Sequence, residues 1–352
     1  MLAADTSAVE LRSGQAPPKA SLVSWAQIVK PVEPFLRAVS ERLVRQVDAF
    51  EPEIADFARD ALSSQGKQLR PALVAISAHA TGGLNDDLIT VAAIIEMVHL
   101  ATLVHDDVMD AAQVRRRRPT LAAQCGNNTS VLVGDCLFAH AVTLAAGFPT
   151  PEVCRAVALA TKTVCSGEIL QSQRDRQVHQ TREEYFRVLR MKTAELFALS
   201  CDMGSWLSGA RPEDRAALKA YGMGLGTAYQ IYDDCLDLFG NEQQTGKSVG
   251  TDLAGGKVTL PILVALERAT PEERALIQGW LARWEPGLTR DLLPLLDRYG
   301  VLDECKSVIF RFCSNAEQGL SVLESAEGRS SLGAVLRYLE NQADSLRVSG
   351  TI

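Results

Sequence analysis

Residues 88–120 read LITVAAIIEMVHLATLVHDDVMDAAQVRRRRPT: an apolar run ending in three aspartates, with four arginines directly after them. No Pro or Gly interrupts Leu88 to Val114, so the stretch predicts a helix of several turns. At about 3.6 residues per turn, Asp106 and Asp110 share one face and Asp107 lies beside them. Three carboxylates that close repel one another, and a solvated helix face normally intersperses Lys or Arg. Oxygen-only ligands of high charge density suit a hard cation such as Mg²⁺. Arg115 to Arg118 would then take phosphate oxygens that the metal leaves unneutralised. The plainer alternative is an acidic surface patch.

A second stretch weighs against that alternative. YQIYDDCLDLFGNEQQTGKSVGTDLAGGKVTLP repeats the i, i+1, i+4 spacing at Asp233, Asp234 and Asp237, again at the end of an apolar segment. Cations follow here as well, at Lys247 and Lys257. One Asp pair is a weak signal, whereas two triads of identical spacing are a strong one. On facing helices they would clamp Mg²⁺ ions on one diphosphate.

Around these motifs the chain is ordinary globular material, 352 residues that are 47% hydrophobic and 22% charged. A net charge of −7 argues against nucleic acid as the main partner, although four consecutive arginines alone would suit it. The eight cysteines include no C-x-x-C pair, which favours reduced thiols and a cytoplasmic setting. Residues 1–20 lack the basic start and apolar core of a signal peptide and are expected to form a disordered tail. No integral membrane segment is expected, because Glu96 and His99, or Asp135 and His140, break the most apolar runs.

Helical periodicity recurs almost everywhere. Helices are predicted over 22–48, 52–64, a segment from Pro71 to Gly82–Gly83, 88–114, 130–146, 151–176, 182–201, 212–239, 257–268, 272–283, 287–299, 301–324 and 329–346. Strand-like alternation is nearly absent, and no composition break marks a boundary. The expectation is one all-α domain over residues 21–352, with ten or more helices around a central cavity.

The motifs together resemble the trans (all-E) isoprenyl diphosphate synthases, the polyprenyl synthetase family, from about Gly66 to Pro261. HDDVMD and YDDCLD stand in the family's order, with GKQLRP, VLVGD, GEILQ, MKTAELF and GKSVGTDLAGGKVTLP around them. The resemblance implies that the six aspartates hold about three Mg²⁺ ions on the diphosphate of an allylic substrate. Leaving-group neutralisation lets the allylic C–O bond ionise. Isopentenyl diphosphate then attacks through its double bond and a proton is lost, and repetition lengthens the chain. The same resemblance gives Lys67, Arg70, His99 and Arg116 to isopentenyl diphosphate, and Arg115 and Lys192 to the allylic diphosphate. Thr193 and Gln230 accompany them, Lys247 and Lys257 belong to a closing loop, and Gln171 lines the site. Each has a plain alternative: solvated helix-start cations for Lys67 and Arg70, a satisfied core residue for His99. A homodimer is the family's habit.

Two positions depart from the pattern: Arg117 stands where the family usually has Gly, and Gln113 replaces a common acidic residue. Neither removes a candidate metal ligand. Product length would be set along the helix that carries Asp106, at Thr102, Ala101 and Val98. Short-chain relatives tend to be bulky four and five residues before the first aspartate, whereas Thr102 and Ala101 are small, so a medium- to long-chain product is expected. Met97, Ile94 or Phe138 would form a deeper floor. The rivals are a short-chain synthase, a terpene synthase, and a non-catalytic partner subunit. The second triad and GKQLRP argue against a cyclase, and six intact aspartates argue against a silent subunit.

Overall fold

The structure, a computed structural model, describes residues 23–63, 66–174, 179–240 and 250–348, apart from the side chains at 63 and 286. The predicted tail and Lys247 therefore lie outside the described residues. The all-α expectation holds, with one two-stranded hairpin added among the described residues.

The predicted helix over 22–48 is broken by its prolines. It becomes α1 (Trp25–Val29), a 3₁₀ turn (Lys30–Val32) containing Pro31, and α2 (Glu33–Gln46) with Pro34 in its first turn. Next come α3 (Pro52–Ser63), α4 (Leu69–Thr81) and α5 (Asp86–Met109). Asn85 caps α5, its side chain accepting from the Leu88 N–H at 3.0 Å. The helix stops five residues before the predicted Val114. Ala111 turns to a φ of 50°, and the chain re-emerges as β1 (Val114–Arg115) paired antiparallel with β2 (Arg118–Pro119).

Then follow α6 (Leu121–Cys125), α7 (Asn127–Ala146), α8 (Pro151–Ser172) and α9 (Arg182–Leu189). The expected helix over 182–201 is interrupted by a π-helical turn (Arg190–Ala194) before α10 (Glu195–Leu207). After it come α11 (Pro212–Phe239), α12 (Thr251–Ala254), α13 (Leu260–Arg268) and α14 (Pro271–Ala282). The chain closes with α15 (Thr289–Arg298), α16 (Val301–Gly319) and α17 (Ala326–Ser345).

α5 is the core helix: almost every residue from Val91 to Val104 is buried, against α2, α4, α7 and α10. α10 lies between α4 and α11, and α11 packs its other side on α16. Close approach of α10 and α11 needs small residues. A Cβ at Gly222 would stand 2.5 Å from the Phe197 carbonyl oxygen, and one at Gly226 would stand 2.6 Å from the Ala194 Cα. The triads thus sit on two helices held by one apolar interior. α5 and α7 are each long and apolar enough to cross a membrane, yet α5 is enclosed by the fold. α7 leaves Val131 and Leu132 exposed.

Candidate active site

The middle aspartate of each triad turns inward. Asp107 is buried and accepts from the Arg115 guanidinium at 2.7 Å. Asp234, also buried, accepts from the Tyr185 hydroxyl at 2.6 Å and from the Gln230 amide at 2.8 Å. The Gln230 carbonyl oxygen in turn accepts from the Thr193 hydroxyl at 2.8 Å. The outer aspartates lie nearer solvent: Asp106 half-buried, Asp110 and Asp233 exposed, Asp237 half-buried. From sequence the three members of a triad look equivalent; their hydrogen bonds separate them.

Lys257 ties the two triads together. Its ammonium lies 3.2 Å from Asp110 of the first triad and 3.9 Å from Asp252. The Asp252 N–H donates to the Asp237 carboxylate at 3.1 Å, and the Thr251 hydroxyl donates to it at 2.6 Å. Asp237 thereby holds the start of α12, and with it the described end of the loop that contains Lys247. Burial would lower the Lys257 pKa, but Asp252 and Asp110 outweigh it and raise it.

The π turn carries Lys192 and Thr193 past α8, where Gly167 makes room: a Cβ there would stand 2.8 Å from the Lys192 N–H nitrogen. Lys192 donates to Gln171 at 2.8 Å and ion-pairs with Glu168. A cavity of about 80 Å³ opens here, lined by Lys192, Thr193, Gln230, Asp234, Asp252 and Lys257.

A second group of cations forms around GKQLRP. The Arg116 guanidinium lies over Gly66, where a Cβ would meet it at 2.4 Å. Arg116 also acts electrostatically on Arg70, Glu96 and His99. Burial, with Arg70, Arg116 and Arg115 nearby, pushes His99 well below the usual histidine range, so its ring is neutral at neutral pH. Burial raises the Glu96 carboxyl, although Arg70 and Arg116 pull it back. Buried Arg70 Nε and Glu96 Oε2 find no hydrogen-bond partner among the described residues. Lys67 extends from the same block at the surface.

The site carries surplus negative charge. Burial pushes Asp106 up to about 6; Glu168 and Asp110 add to this while Lys192 and Arg115 oppose it. Asp252 is pushed up to about 7 by burial and by Asp237. Among the described residues, no three carboxylate, His or Cys side chains converge on one point. The aspartate donors lie on two helices, α5 with its C-cap Asp110 and α11.

Sequence reasoning missed Glu168, Tyr185 and Asp252. Glu168 and Asp252 stand inside motifs it had quoted, GEILQ and GTDLAGGK, and their acidity was the available signal. Tyr185 gave none. The chain-length candidates Ala101 and Val98 are buried in the core, and Thr102 is half-buried with its hydroxyl donating to the His99 carbonyl at 2.7 Å.

The sequence model of the polyprenyl synthetase family matches residues 51–288. The chain is 31% identical to the short chain isoprenyl diphosphate synthase of Methanothermobacter thermautotrophicus, over 89% of this chain and 98% of that protein. It is 34% identical to the octaprenyl diphosphate synthase of Escherichia coli, over 82% and 89%. A polyprenyl synthase from Caulobacter crescentus, crystallised with calcium and isoprenyl diphosphate, superposes with a TM-score of 0.84 at 30% identity, covering 91% of this chain and 98% of that one. With two aspartate triads on one cleft, cations around it and a family match over most of its length, this chain belongs to the polyprenyl synthetase family.

Proposed function

We propose that this protein condenses isopentenyl diphosphate with an allylic diphosphate, repeatedly, to give a linear all-E polyprenyl diphosphate. The observation that carries this reading is the first aspartate triad linked by Lys257 to Asp252, whose backbone N–H binds Asp237 of the second triad, with a second cation group beside them.

Asp106 and Asp110 on one wall, and Asp233 and Asp237 on the other, would hold divalent cations: the oxygen donors suit Mg²⁺, and the family resemblance implies about three ions. Asp107 and Asp234 orient the walls through Arg115, Tyr185 and Gln230. Cations bound there, with the allylic diphosphate between the walls, would neutralise the leaving group as the C–O bond breaks. Lys192 and Arg115 hold the allylic diphosphate, while Lys67, Arg70, His99 and Arg116 receive isopentenyl diphosphate. A neutral His99 suits donation to a phosphate oxygen without adding charge to a crowded cationic group. Lys257, at the cleft beside Asp110, closes over the phosphates.

The small residues Ala101 and Thr102, together with the octaprenyl relative, support a medium- to long-chain product over a short-chain one. The exposed apolar residues Val131 and Leu132 on α7, with Leu159 and Ile169 on α8, support a homodimer. Eight free cysteines support a reducing, cytoplasmic setting.

The test is incubation with labelled isopentenyl diphosphate, an allylic primer and Mg²⁺, followed by chromatography of the products. Label in a linear chain is expected; a cyclic product or no incorporation would reject the reading. Asp106→Ala and Asp233→Ala should each lower turnover by at least ~10²-fold. Near-normal turnover in either, with unchanged Mg²⁺ dependence, would reject the two-wall arrangement.

A further inference from the structure

Both ends of the described chain converge on Lys67. Its ammonium lies 3.4 Å from the hydroxyl of Tyr338 on α17, and 5.8 Å from the centre of that ring. The Trp25 indole N–H, from α1, donates to the Lys67 carbonyl oxygen at 3.1 Å. Trp25 and Tyr338 themselves pack with ring centres 5.7 Å apart. Among the described residues no carboxylate lies within ion-pairing distance of Lys67, although ion pairs are frequent elsewhere on this surface.

The other cation of GKQLRP is seated in the same way. The Arg70 guanidinium stacks over the Phe197 ring at 5.0 Å. Phe197 packs on Tyr229 at 5.5 Å, and Tyr229 on Tyr232 at 6.5 Å. Tyr232 is close enough to Tyr338 for the two phenols to interact electrostatically.

We propose that Tyr338, braced by Trp25, is a positioning residue for isopentenyl diphosphate, holding the Lys67 ammonium at the second diphosphate site. This rests on the assignment of Lys67 to that substrate. The physical argument concerns choice of partner. An exposed lysine has a long flexible stem, and fixing it on a phosphate costs much of its rotamer freedom. A carboxylate partner would hold the ammonium but compete with the incoming anion. An aromatic face and a hydroxyl hold it weakly without opposing charge, and leave N–H donors free for phosphate oxygens. The ring also comes from the last helix of the chain, so α17 serves the site and not only the core.

The experiment compares Tyr338→Leu, Tyr338→Phe, Lys67→Ala and the double variant Lys67→Ala/Tyr338→Leu in the full chain. For each, KM is measured separately for isopentenyl diphosphate and for the allylic primer, together with kcat and thermal stability. Tyr338→Leu should raise the KM for isopentenyl diphosphate by ~3- to 10-fold and leave the primer KM and kcat within about twofold. Tyr338→Phe, which keeps the ring and the fold, should show a smaller rise. In the Lys67→Ala background, Tyr338→Leu should add nothing. An unchanged KM in Tyr338→Leu, an equal rise for both substrates, or an undiminished effect without Lys67 would overturn the proposal. If Lys67→Ala left the isopentenyl diphosphate KM unmoved, the assignment beneath it would fall as well. A null result confined to the Tyr338 variants would overturn the seat alone.

Discussion

Arg117 stands where the family resemblance implies Gly, and the structure shows what backbone it adopts there. Arg116 and Arg117 form the two-residue loop between β1 and β2, at φ of 50° and 63°. A hairpin loop with both residues left-handed favours Gly or Asn, since a Cβ is strained there. Arg117→Gly should therefore stabilise the protein by about 0.5–1 kcal/mol, read from chemical unfolding; a destabilisation would show that the Arg117 side chain outweighs the backbone strain. A second residue-scale prediction concerns Asp106. Its carboxyl, raised to about 6 in the folded state, ionises in the unfolded chain near its ordinary value of 3.8. Over that window the folded state binds more protons, so stability falls as pH rises from about 4 to 6 and stays at the lower level above. In metal-free protein, Asp106→Asn should raise Tm by about 1–3 °C at pH 8 and by about half as much at pH 5. Equal shifts at both pH values would show that charge at Asp106 is not the cause.

The elements that sequence patterns captured are those whose signal is local. Apolar periodicity revealed α5, α7, α8 and α11 to within about five residues, because burial of one or more faces decides them. The hairpin was not legible. Arg116–Arg117 carries none of the Asn-Gly chemistry that marks such turns, and the residues before it read as good helix formers. The π turn was equally hidden, since it is imposed by packing of Lys192 and Ala194 between Gly167 and Gly226 rather than by any residue inside it. That yields an element-scale prediction. Gly226→Ala presses a methyl into the backbone at Ala194 and should cost about 1–3 kcal/mol. Its kcat should fall too, since Lys192 and Thr193 ride on the displaced turn. Gly319→Ala, where nothing lies within 4 Å, is the control and should be neutral or slightly stabilising. Similar losses in both would mean that helix propensity, not the close approach, governs Gly226.

At the scale of the molecule, segments as distant as Asp106, Lys192, Asp233 and Lys257 meet at one cleft, which the order of the motifs foretold only through family resemblance. Spacing gave the triads; it could not give Tyr185 under Asp234, or Tyr338 beside Lys67, since those contacts exist only after distant helices pack. Product length is likewise a property of the packed whole. Ala101 is fully buried on α5, one turn and a residue before Asp106. Ala101→Phe should cost about 1–3 kcal/mol of overpacking and end elongation after the first few condensations. Product chromatography decides this; a folded variant with an unchanged product distribution would remove α5 as the ruler. Lys257 carries a last consequence. Its ammonium already bridges Asp110 and Asp252, so the cleft at rest contains its own counterion. On the proposed function, loading it would be an ion exchange rather than an addition: arriving cations would displace a tethered one, which would turn to the phosphates they bring. When product leaves, the tether would return, and the enzyme would regenerate between turnovers as a cation-exchange resin does when its first counterion is restored.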